Sequence, residues 1–376
     1  MASAIDHEMM SRALQLARKG LYTTMPNPRV GCVIEKGGKI IGEGFHERPG
    51  EPHAEVYALR MAGKDAEGAT AYVTLEPCSH YGRTPPCAEG LIKAKVGRVV
   101  AAMEDPNPLV AGRGLAMLQE AGIKVESGLL EDEARTLNPG FIKRMESGRP
   151  FVRLKLAMSL DGRTAMESGE SQWITGPDAR SEVQKLRAQS CAIVTGVGSI
   201  LQDNSSLTVR AEELGLPDSE MLTQRQPLRV VVDSSLQTPV DAKVVTGPGN
   251  VLVVCTVQAD KHRQEALEAA GAEVLRLEDQ AGRVDLQQLM EKLAERDCQE
   301  VLLETGATLA GAAVSEGLVD ELTVFMAPTL MGSSARPLMS LPFRSMSEKL
   351  DLNISDMRAI GNDWKITATF KANTDH

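Results

Sequence analysis

Three residues that can bind a soft metal ion, His53, Cys78 and Cys87, lie close together in this chain, which has only six histidines and six cysteines in 376 residues. Each lies beside a proline and at an expected element junction: His53 and Cys87 each begin a predicted helix, and Cys78 ends a predicted strand. One imidazole and two thiolates suit zinc, and three protein ligands leave a fourth position for water, as at catalytic zinc sites. The pattern therefore predicts a preorganised zinc site where these element ends meet.

Glu55 follows His53 by two positions in the same predicted helix. Residues two apart on a helix point in different directions, so Glu55 is not expected to be a ligand and its carboxylate is free to move protons. Two other interpretations are a closed structural zinc site, with His46 or His80 as the fourth ligand, and three unrelated buried residues. A purely structural site has no use for Glu55. Cys32 lies in an apolar strand and is expected in the core.

The pattern along the chain alternates between strands and helices in both halves. The first half has a predicted hairpin that turns at Gly37-Gly38, and the second half has a predicted strand "CAIVTGVGSIL". The polar stretch "ESGRP" between the halves predicts a boundary, which gives domains 1–147 and 148–376. The chain is longer than one core usually supports. Two α/β domains are therefore expected.

Composition excludes several classes of partner. The net charge is −10, and most of it falls after residue 147, so neither half offers the basic surface that nucleic acid requires. No apolar run is long enough for a membrane span, and the first twenty residues lack the apolar core of a signal peptide. Six cysteines in a chain of this length do not form a disulfide scaffold. We therefore expect a cytoplasmic enzyme with reduced thiols that acts on a small molecule, without nucleic acid or membrane as a partner.

Four stretches of the first half, "TTMPNPRVGCVI", "GEGFHERPGEPHAE", "EPCSHYGRTPPC" and "EDPNPLVAGRGL", resemble the deaminase half of the bifunctional riboflavin-biosynthesis deaminase/reductase family. The H-x-E motif of zinc-dependent base deaminases is present, although eight residues separate the cysteines instead of the usual two. The resemblance implies a cytidine-deaminase-like three-layer α/β/α domain. It also implies that His53, Cys78 and Cys87 hold one zinc ion and that Glu55 is the catalytic proton donor. The residues implied to contact a pyrimidine nucleotide are Asn27, His46 and Arg83.

The second half is similar to the reductase half of the same family through "RLKLAMSLDGRTA", "SQWITG", "TGVGSI", "LTVR" and "ETGATLAGA". This resemblance implies a dihydrofolate-reductase-like α/β fold, and the chain has no G-x-G-x-x-G fingerprint of an ordinary Rossmann domain. The implied NADPH contacts are Ala157, Trp173, Ser199, Asp203, Ser234 and the loop formed by Gly306, Ala307, Thr308, Leu309, Ala310, Gly311 and Ala312. The implied substrate contacts are Ser171, Arg187, Leu207, Arg210 and Glu304. Core packing is an equal alternative for Trp173, and no general acid stands out.

The resemblance as a whole implies two consecutive reactions in one chain. The first is hydrolytic deamination of 2,5-diamino-6-ribosylamino-4(3H)-pyrimidinone 5′-phosphate, and the second is reduction of the ribosyl group by NADPH to give 5-amino-6-ribitylaminouracil 5′-phosphate. Two rival hypotheses are a nucleic-acid base deaminase, which should be basic, and an interaction module with structural zinc. A homo-oligomer, with a dimer favoured, is also expected.

Overall fold

A computed structural model of the chain describes residues 2–81, 85–108 and 110–371. The chain divides into two compact units, Met1–Gly148 and Arg149–His376. Among the described residues, no helix combines the length and the apolar character needed to cross a bilayer.

The first unit contains six helices and five strands within its described residues. The helices are α1 Ala4–Arg18, α2 Ala54–Ala62, α3 Cys87–Lys93, α4 Arg113–Glu120, α5 Glu131–Leu137 and α6 Pro139–Ser147, with a 3-10 turn at Gly63–Ala66. The strands are β1 Gly31–Lys36, β2 Lys39–Phe45, β3 Thr70–Val73, β4 Arg98–Ala101 and β5 Lys124–Ser127.

These five strands form one sheet in the order β2-β1-β3-β4-β5. Strand β1 pairs antiparallel with both β2 and β3, whereas β3, β4 and β5 are parallel. The predicted hairpin is confirmed: its turn residues Gly37 and Gly38 have φ angles of 62° and 81°, a left-handed conformation that glycine adopts without steric cost.

Alternating side chains of this sheet pack against helices on both faces. On β1, Cys32 and Ile34 join a core cluster with α2, α3 and α4. Val33, between them, faces the opposite cluster with α1, α5 and α6. The predicted three-layer α/β/α arrangement is confirmed, and Cys32 is a core residue. The helical stretch after β5 is divided into α5 and α6 because Pro139 begins the second helix.

The second unit is built around a larger sheet. Its strands are β6 Phe151–Ser159, β7 Arg163–Ala165, β8 Ala192–Gly196, β9 Leu228–Val232, β10 Val251–Thr256, β11 Glu273–Leu277, β12 Asp279–Gln280, β13 Arg283–Val284, β14 Glu300–Glu304, β15 Glu321–Ala327, β16 Arg336–Pro337, β17 Leu352–Ile360 and β18 Asp363–Phe370. Its helices are α7 Pro177–Ala188, α8 Val197–Asp203, α9 Ala211–Leu214, α10 Ser219–Leu222, α11 Lys243–Thr246, α12 Lys261–Ala269, α13 Leu286–Glu295 and α14 Ala307–Ser315, with a 3-10 turn at Met346–Glu348.

The main sheet has nine strands in the order β11-β10-β9-β8-β14-β6-β15-β18-β17. All neighbours from β11 to β15 are parallel, and β18 and β17 complete the sheet with antiparallel pairings. Helices α13 and α14 cover one face, and α7, α11 and α12 cover the other. The expected reductase-type α/β architecture is therefore present, with parallel strands whose carboxyl ends meet along one edge.

The structure corrects two sequence-based predictions in this unit. The strand predicted over "CAIVTGVGSIL" ends at Gly196, and Val197–Asp203 forms α8. Val197 and Ile200 pack on the same core cluster at helical spacing, which a strand of period two cannot provide. The segment from Ala307 to Ala312 is likewise not a loop, because it forms the first turns of α14.

Candidate active sites

The three predicted zinc ligands converge in the first unit. His53 lies at the N-terminus of α2, Cys78 lies in the segment after β3, and Cys87 is the first residue of α3. Their ligand atoms all lie within 4.8 Å of one another. The Nδ1 atom of His53 is 3.6 Å from the sulfur of Cys78 and 3.3 Å from that of Cys87. The hydrogen bond with Cys87 lowers the pKa of the Cys78 thiol well below its ordinary value, while the same hydrogen bond and burial raise the pKa of Cys87. One imidazole and two sulfurs are ligand types that zinc prefers.

Glu55 is a buried carboxylate beside these ligands. It is the second residue of α2 and only 3% exposed, and its Oε2 atom has no hydrogen-bond partner. Burial, followed by the nearby charge of Cys78, raises the pKa of Glu55 to about 7. A carboxyl group with this pKa can hold or release a proton near neutral pH, which is the property that general acid–base chemistry needs.

Two glycines in β2 allow α2 to approach the sheet closely. A Cβ atom on Gly42 would lie 2.2 Å from the carbonyl oxygen of Ala58. A Cβ atom on Gly44 would lie 2.7 Å from the carbonyl oxygen of Ala54 and 2.5 Å from the Cβ of Tyr57. Cβ atoms in proteins do not come this close to other atoms. Glycine at these two positions is therefore required for α2, which carries Glu55 and begins next to His53, to lie this close to β2.

His46 and Asn27 lie next to the predicted zinc ligands. The ring of His46 makes an edge contact with that of His53 at a centroid distance of 5.4 Å. His46 Nδ1 is 3.1 Å from the carbonyl oxygen of Pro52, and His46 Nε2 is 3.0 Å from the amide nitrogen of Asn27. Burial lowers the pKa of His46, so the neutral ring donates through Nδ1 and accepts through Nε2.

This geometry argues against the closed structural zinc site. Both nitrogens of His46 are engaged, and His80 is exposed. Within residues 2–81, 85–108 and 110–371, only the group of His53, Cys78 and Cys87 gathers three potential metal-binding side chains. The third predicted substrate contact of this unit, Arg83, lies outside the described residues.

The second unit contains a cleft of about 490 Å³ at the carboxyl ends of β6, β8 and β14. All the substrate contacts predicted for this unit line it, namely Ser171, Arg187, Leu207, Arg210 and Glu304. The predicted cofactor contacts that line it are Ala157, Trp173, Ser199, Asp203, Gly306 and Ala307. Residues from five separate stretches of sequence are thus brought to one cavity.

The remaining predicted cofactor contacts do not line this cleft. The hydroxyl of Ser234 accepts a hydrogen bond from the backbone N–H of Val284. The others are Thr308, Leu309, Ala310, Gly311 and Ala312, which belong to α14. Leu309, Ala310 and Ala312 pack into the core, and a Cβ on Gly311 would lie 2.0 Å from the carbonyl oxygen of Ser340. The side of α14 that carries these four residues therefore faces the protein interior, whereas Thr308 is exposed. Of the predicted stretch, only Gly306 and Ala307 line the cleft.

A buried cluster of charges lies in the cleft and includes a residue that sequence reasoning missed. Arg187 makes two hydrogen bonds of 2.9 and 2.7 Å to the carboxylate of Glu304. The ammonium nitrogen of Lys155 lies 3.9 Å from the same carboxylate. Burial opposes ionisation of Glu304, but the charges of Arg187 and Lys155 lower its pKa to about 2. Burial lowers the pKa of Lys155, so this lysine is a candidate proton donor. Its only sequence signal is a cation inside an apolar strand.

Trp173 and Arg210 lie at the cleft with clear partners. Trp173 is 68% exposed, which excludes the alternative role in core packing, and the guanidinium of Arg180 lies 4.7 Å from its ring centroid. Arg210 makes hydrogen bonds of 2.9 and 2.6 Å to the carboxylate of Glu213. A phosphate bound by Arg210 would therefore share this guanidinium with Glu213 or displace it.

Comparisons with known proteins match both units. The family profile described as cytidine and deoxycytidylate deaminase zinc-binding region matches residues 3–103, and that of the RibD C-terminal domain matches residues 150–366. Riboflavin biosynthesis protein RibD of Escherichia coli is 51% identical over 362 residues, which cover 95% of this chain and 97% of that protein. The corresponding protein of Haemophilus influenzae is 47% identical over 376 residues, with 98% of each chain covered.

Two solved structures resemble the whole chain. RibD of Acinetobacter baumannii, form 1, superposes with a TM-score of 0.90 at 46% identity and covers 98% of this chain and 99% of its own. The deaminase/reductase of Thermotoga maritima superposes with a TM-score of 0.84 at 31% identity and has the same coverage.

Proposed function

Because the chain belongs to the bifunctional riboflavin-biosynthesis deaminase/reductase family, we propose that residues 1–147 carry its deaminase site and residues 148–376 its reductase site. The enzyme depends on Zn²⁺ for the first reaction and on NADPH for the second. It deaminates 2,5-diamino-6-ribosylamino-4(3H)-pyrimidinone 5′-phosphate and then reduces the ribosyl group, which gives 5-amino-6-ribitylaminouracil 5′-phosphate.

The observation that carries the deaminase assignment is the buried carboxylate of Glu55, whose Oε2 atom has no hydrogen-bond partner, beside His53, Cys78 and Cys87. These three residues would hold zinc, which supplies Lewis-acid activation of a water molecule. Glu55 takes one proton from the attacking water and gives it to the ring nitrogen. It then takes the second proton, from the hydroxyl group added to the ring carbon, and gives it to the amino group, which leaves as ammonia. With a pKa of about 7, the Glu55 carboxyl group can both accept a proton and release it near neutral pH.

The substrate positions at the deaminase site follow from neighbouring contacts. The hydrogen bond from Asn27 to His46 holds the Asn27 amide beside the zinc ligands. From there the amide can hydrogen-bond to a polar edge of the pyrimidine ring. We assign Arg83 to the substrate 5′-phosphate on the family resemblance and the charge complementarity.

The reductase assignment is supported by the polar cleft in the second unit. NADPH supplies the hydride that reduces the first carbon of the sugar. As the bond from this carbon to the ring oxygen breaks, Lys155 donates a proton to that oxygen. Glu304 holds the ammonium of Lys155 in place and pairs with Arg187. Arg187, Arg210, Ser171 and Leu207 line the part of the cleft that we assign to the substrate.

We assign NADPH to the part of the cleft that reaches α14. Gly306 begins this helix without a side-chain cap, and a Cβ there would meet no atom within 4 Å. The first backbone N–H groups can therefore approach a cofactor phosphate. Ala157, Trp173, Ser199 and Asp203 line the same cavity.

We also propose a homodimer formed through β17. This strand ends the nine-stranded sheet, and its side chains Ile354 and Met357 are 62% and 53% exposed. Antiparallel pairing with a second copy about Met357 would place Asp356 of one chain opposite Arg358 of the other. Met357→Glu would put two carboxylates side by side, so light scattering should report a dimer for the wild type and a monomer for the variant. A monomeric wild type would contradict this interface.

The proposed zinc site supports a reducing cell compartment. Cys78 and Cys87 must be reduced to bind metal, and among the described residues no disulfide joins any of the six cysteines. A reducing compartment such as the cytoplasm fits this requirement.

Two matched variants test the assignment of the two sites. Glu55→Gln should keep zinc but lose about 100- to 10,000-fold in ammonia release, because an amide cannot accept and return a proton. Lys155→Met should keep ammonia release and lose NADPH oxidation with the deaminated nucleotide. Near-normal ammonia release by Glu55→Gln would disprove the catalytic role of Glu55, and NADPH oxidation at the wild-type rate by Lys155→Met would do the same for Lys155.

A further inference from the structure

Glu76 is a buried carboxylate that accepts hydrogen bonds from four backbone N–H groups. It is 3% exposed and follows β3 by three positions. Its Oε2 atom accepts from Asp105 at 3.0 Å and from Gly112 at 2.9 Å. Its Oε1 atom accepts from Gly114 at 2.8 Å and from Leu115 at 3.3 Å. One side chain thus joins the segment after β3 to the segment after β4 and to the start of α4.

These hydrogen bonds replace the missing N-terminal cap of α4. The residue before this helix, Gly112, has no side chain to cap it, and the first N–H groups of a helix need acceptors. The helix also lies very close to the neighbouring segment, because a Cβ on Gly114 would be 2.0 Å from the carbonyl oxygen of Pro77. Glu76 therefore holds the start of α4 against Pro77, the residue that directly precedes the predicted zinc ligand Cys78.

Cys78 is two residues from Glu76, and the same short segment is restrained along its length. The backbone N–H of Glu76 donates to the carbonyl oxygen of Met103 at 3.0 Å. The carbonyl oxygen of Cys78 accepts from Ala88 in α3 at 3.2 Å. Pro77 lies between them and has a fixed φ angle. The Cys78 sulfur itself accepts from the backbone N–H of Cys87 at 3.3 Å. Because only Pro77 separates Glu76 from Cys78, a shift of the Glu76 backbone would displace Cys78.

We propose that Glu76 is a positioning residue of the zinc site, which holds Cys78 at the distance from His53 and Cys87 that zinc requires. It does not contact the metal itself. It acts through the backbone from Glu76 to Cys78, which its hydrogen bonds lock to α4 and to the segment after β4. This inference rests on the proposed zinc site and adds a residue that the ligand motif does not include.

Glu76→Gln is the direct test, because the amide has nearly the same shape. Its carbonyl oxygen can still accept two hydrogen bonds, but its NH₂ group would face the other pair of backbone N–H donors. The holoenzyme variant should lose zinc to a competing chelator with an apparent affinity about 10- to 100-fold weaker than the wild type, as is typical when partners behind metal ligands are changed. NADPH oxidation with the deaminated nucleotide should stay at the wild-type rate.

Asp6→Asn is the matched control for loss of a buried carboxylate in the same unit. Asp6 lies in α1 on the opposite face of the sheet and bonds to Arg98 and Tyr72. The Asp6→Asn substitution should lower the melting temperature of the deaminase unit without changing its zinc affinity. Wild-type zinc affinity in Glu76→Gln, or an equal loss in Asp6→Asn, would overturn the positioning role.

Glu76→Asp is a second variant for the same measurement, and it can be used if Glu76→Gln does not fold. Aspartate keeps the charge but is one methylene shorter, so it cannot reach both pairs of N–H groups. Zinc affinity between those of wild type and Glu76→Gln supports the proposal. Wild-type zinc affinity combined with a lower melting temperature would show that Glu76 only stabilises α4. The zinc content of the wild-type protein separates this test from a failure of the proposed zinc site. If the wild type also holds no zinc, the proposed zinc site is wrong. If only Glu76→Gln holds none, the loss is due to Glu76.

Discussion

Gly44→Ala should impair deamination by moving a helix, although Gly44 has no side chain in the site. The new Cβ would lie 2.5 Å from the Cβ of Tyr57 and 2.7 Å from the carbonyl oxygen of Ala54. Carbon atoms pack at about 3.5–4.0 Å, so α2 must move away from β2 by about 1 Å. Ala54 directly precedes Glu55, and the displacement therefore reaches the Glu55 carboxylate and His53.

The size of the effect follows from the displacement. A misplacement of about 1 Å in a catalytic group can lower the rate by about 100-fold. Overpacking of this kind should also destabilise the deaminase unit by about 1–3 kcal/mol. Since the reductase site is built from other strands, its activity should not change.

Initial rates of ammonia release at saturating nucleotide measure the effect, and NADPH oxidation with the deaminated nucleotide reports the second site in the same sample. Gly90→Ala in α3 is the matched control, because its Cβ would meet only Leu59, at an ordinary 3.7 Å. Alanine there should be neutral or stabilising. Normal ammonia release by Gly44→Ala, or an equal loss by Gly90→Ala, would refute the idea that the close approach of α2 sets the position of Glu55.

Three further substitutions test other parts of the account. Cys87→Ser should lose zinc and deamination together while NADPH oxidation persists; full zinc occupancy, measured by metal analysis, would remove Cys87 from the site. Arg210→Ala should raise the reductase substrate KM by an amount equivalent to about 1.5–3 kcal/mol with NADPH affinity unchanged; weaker NADPH binding with a normal KM would place Arg210 on the cofactor. The hydrogen bond to Arg98 holds the pKa of Asp6 well below its ordinary value of 3.8. The ionised Asp6 carboxylate therefore stabilises the folded unit fully above pH 3.8, and this contribution is lost as the pH falls further below that value. Asp6→Asn should lower the melting temperature more at pH 7 than at acid pH. An equal loss at both pH values would contradict this.

The sequence predicted those features that depend on local patterns. The hairpin turn at Gly37 and Gly38 follows from two adjacent glycines between apolar strands, and the structure confirms it. The convergence of His53, Cys78 and Cys87 followed from their types and their neighbouring prolines, and their ligand atoms do lie together.

Features that depend on pairing between distant segments were missed. Lys155 looks like a surface residue of a strand until the parallel register places it beside Glu304. Glu76 looks like an ordinary acid in "LEPC", because its four N–H partners lie between 29 and 39 residues away. The helix α8 was missed because its apolar residues also fit a short buried strand, a known ambiguity of short apolar runs.

The central claim is that one chain carries out two reactions at two independent sites, deamination before reduction. The most direct measurement follows ammonia and NADPH together in one reaction with the diamino nucleotide and purified wild-type enzyme. Ammonia release should precede NADPH oxidation, and the two should finish with equal amounts. Glu55→Gln should stop both signals, and adding the deaminated nucleotide should restore NADPH oxidation alone. NADPH oxidation by Glu55→Gln on the diamino nucleotide at the wild-type rate, without ammonia release, would contradict this order.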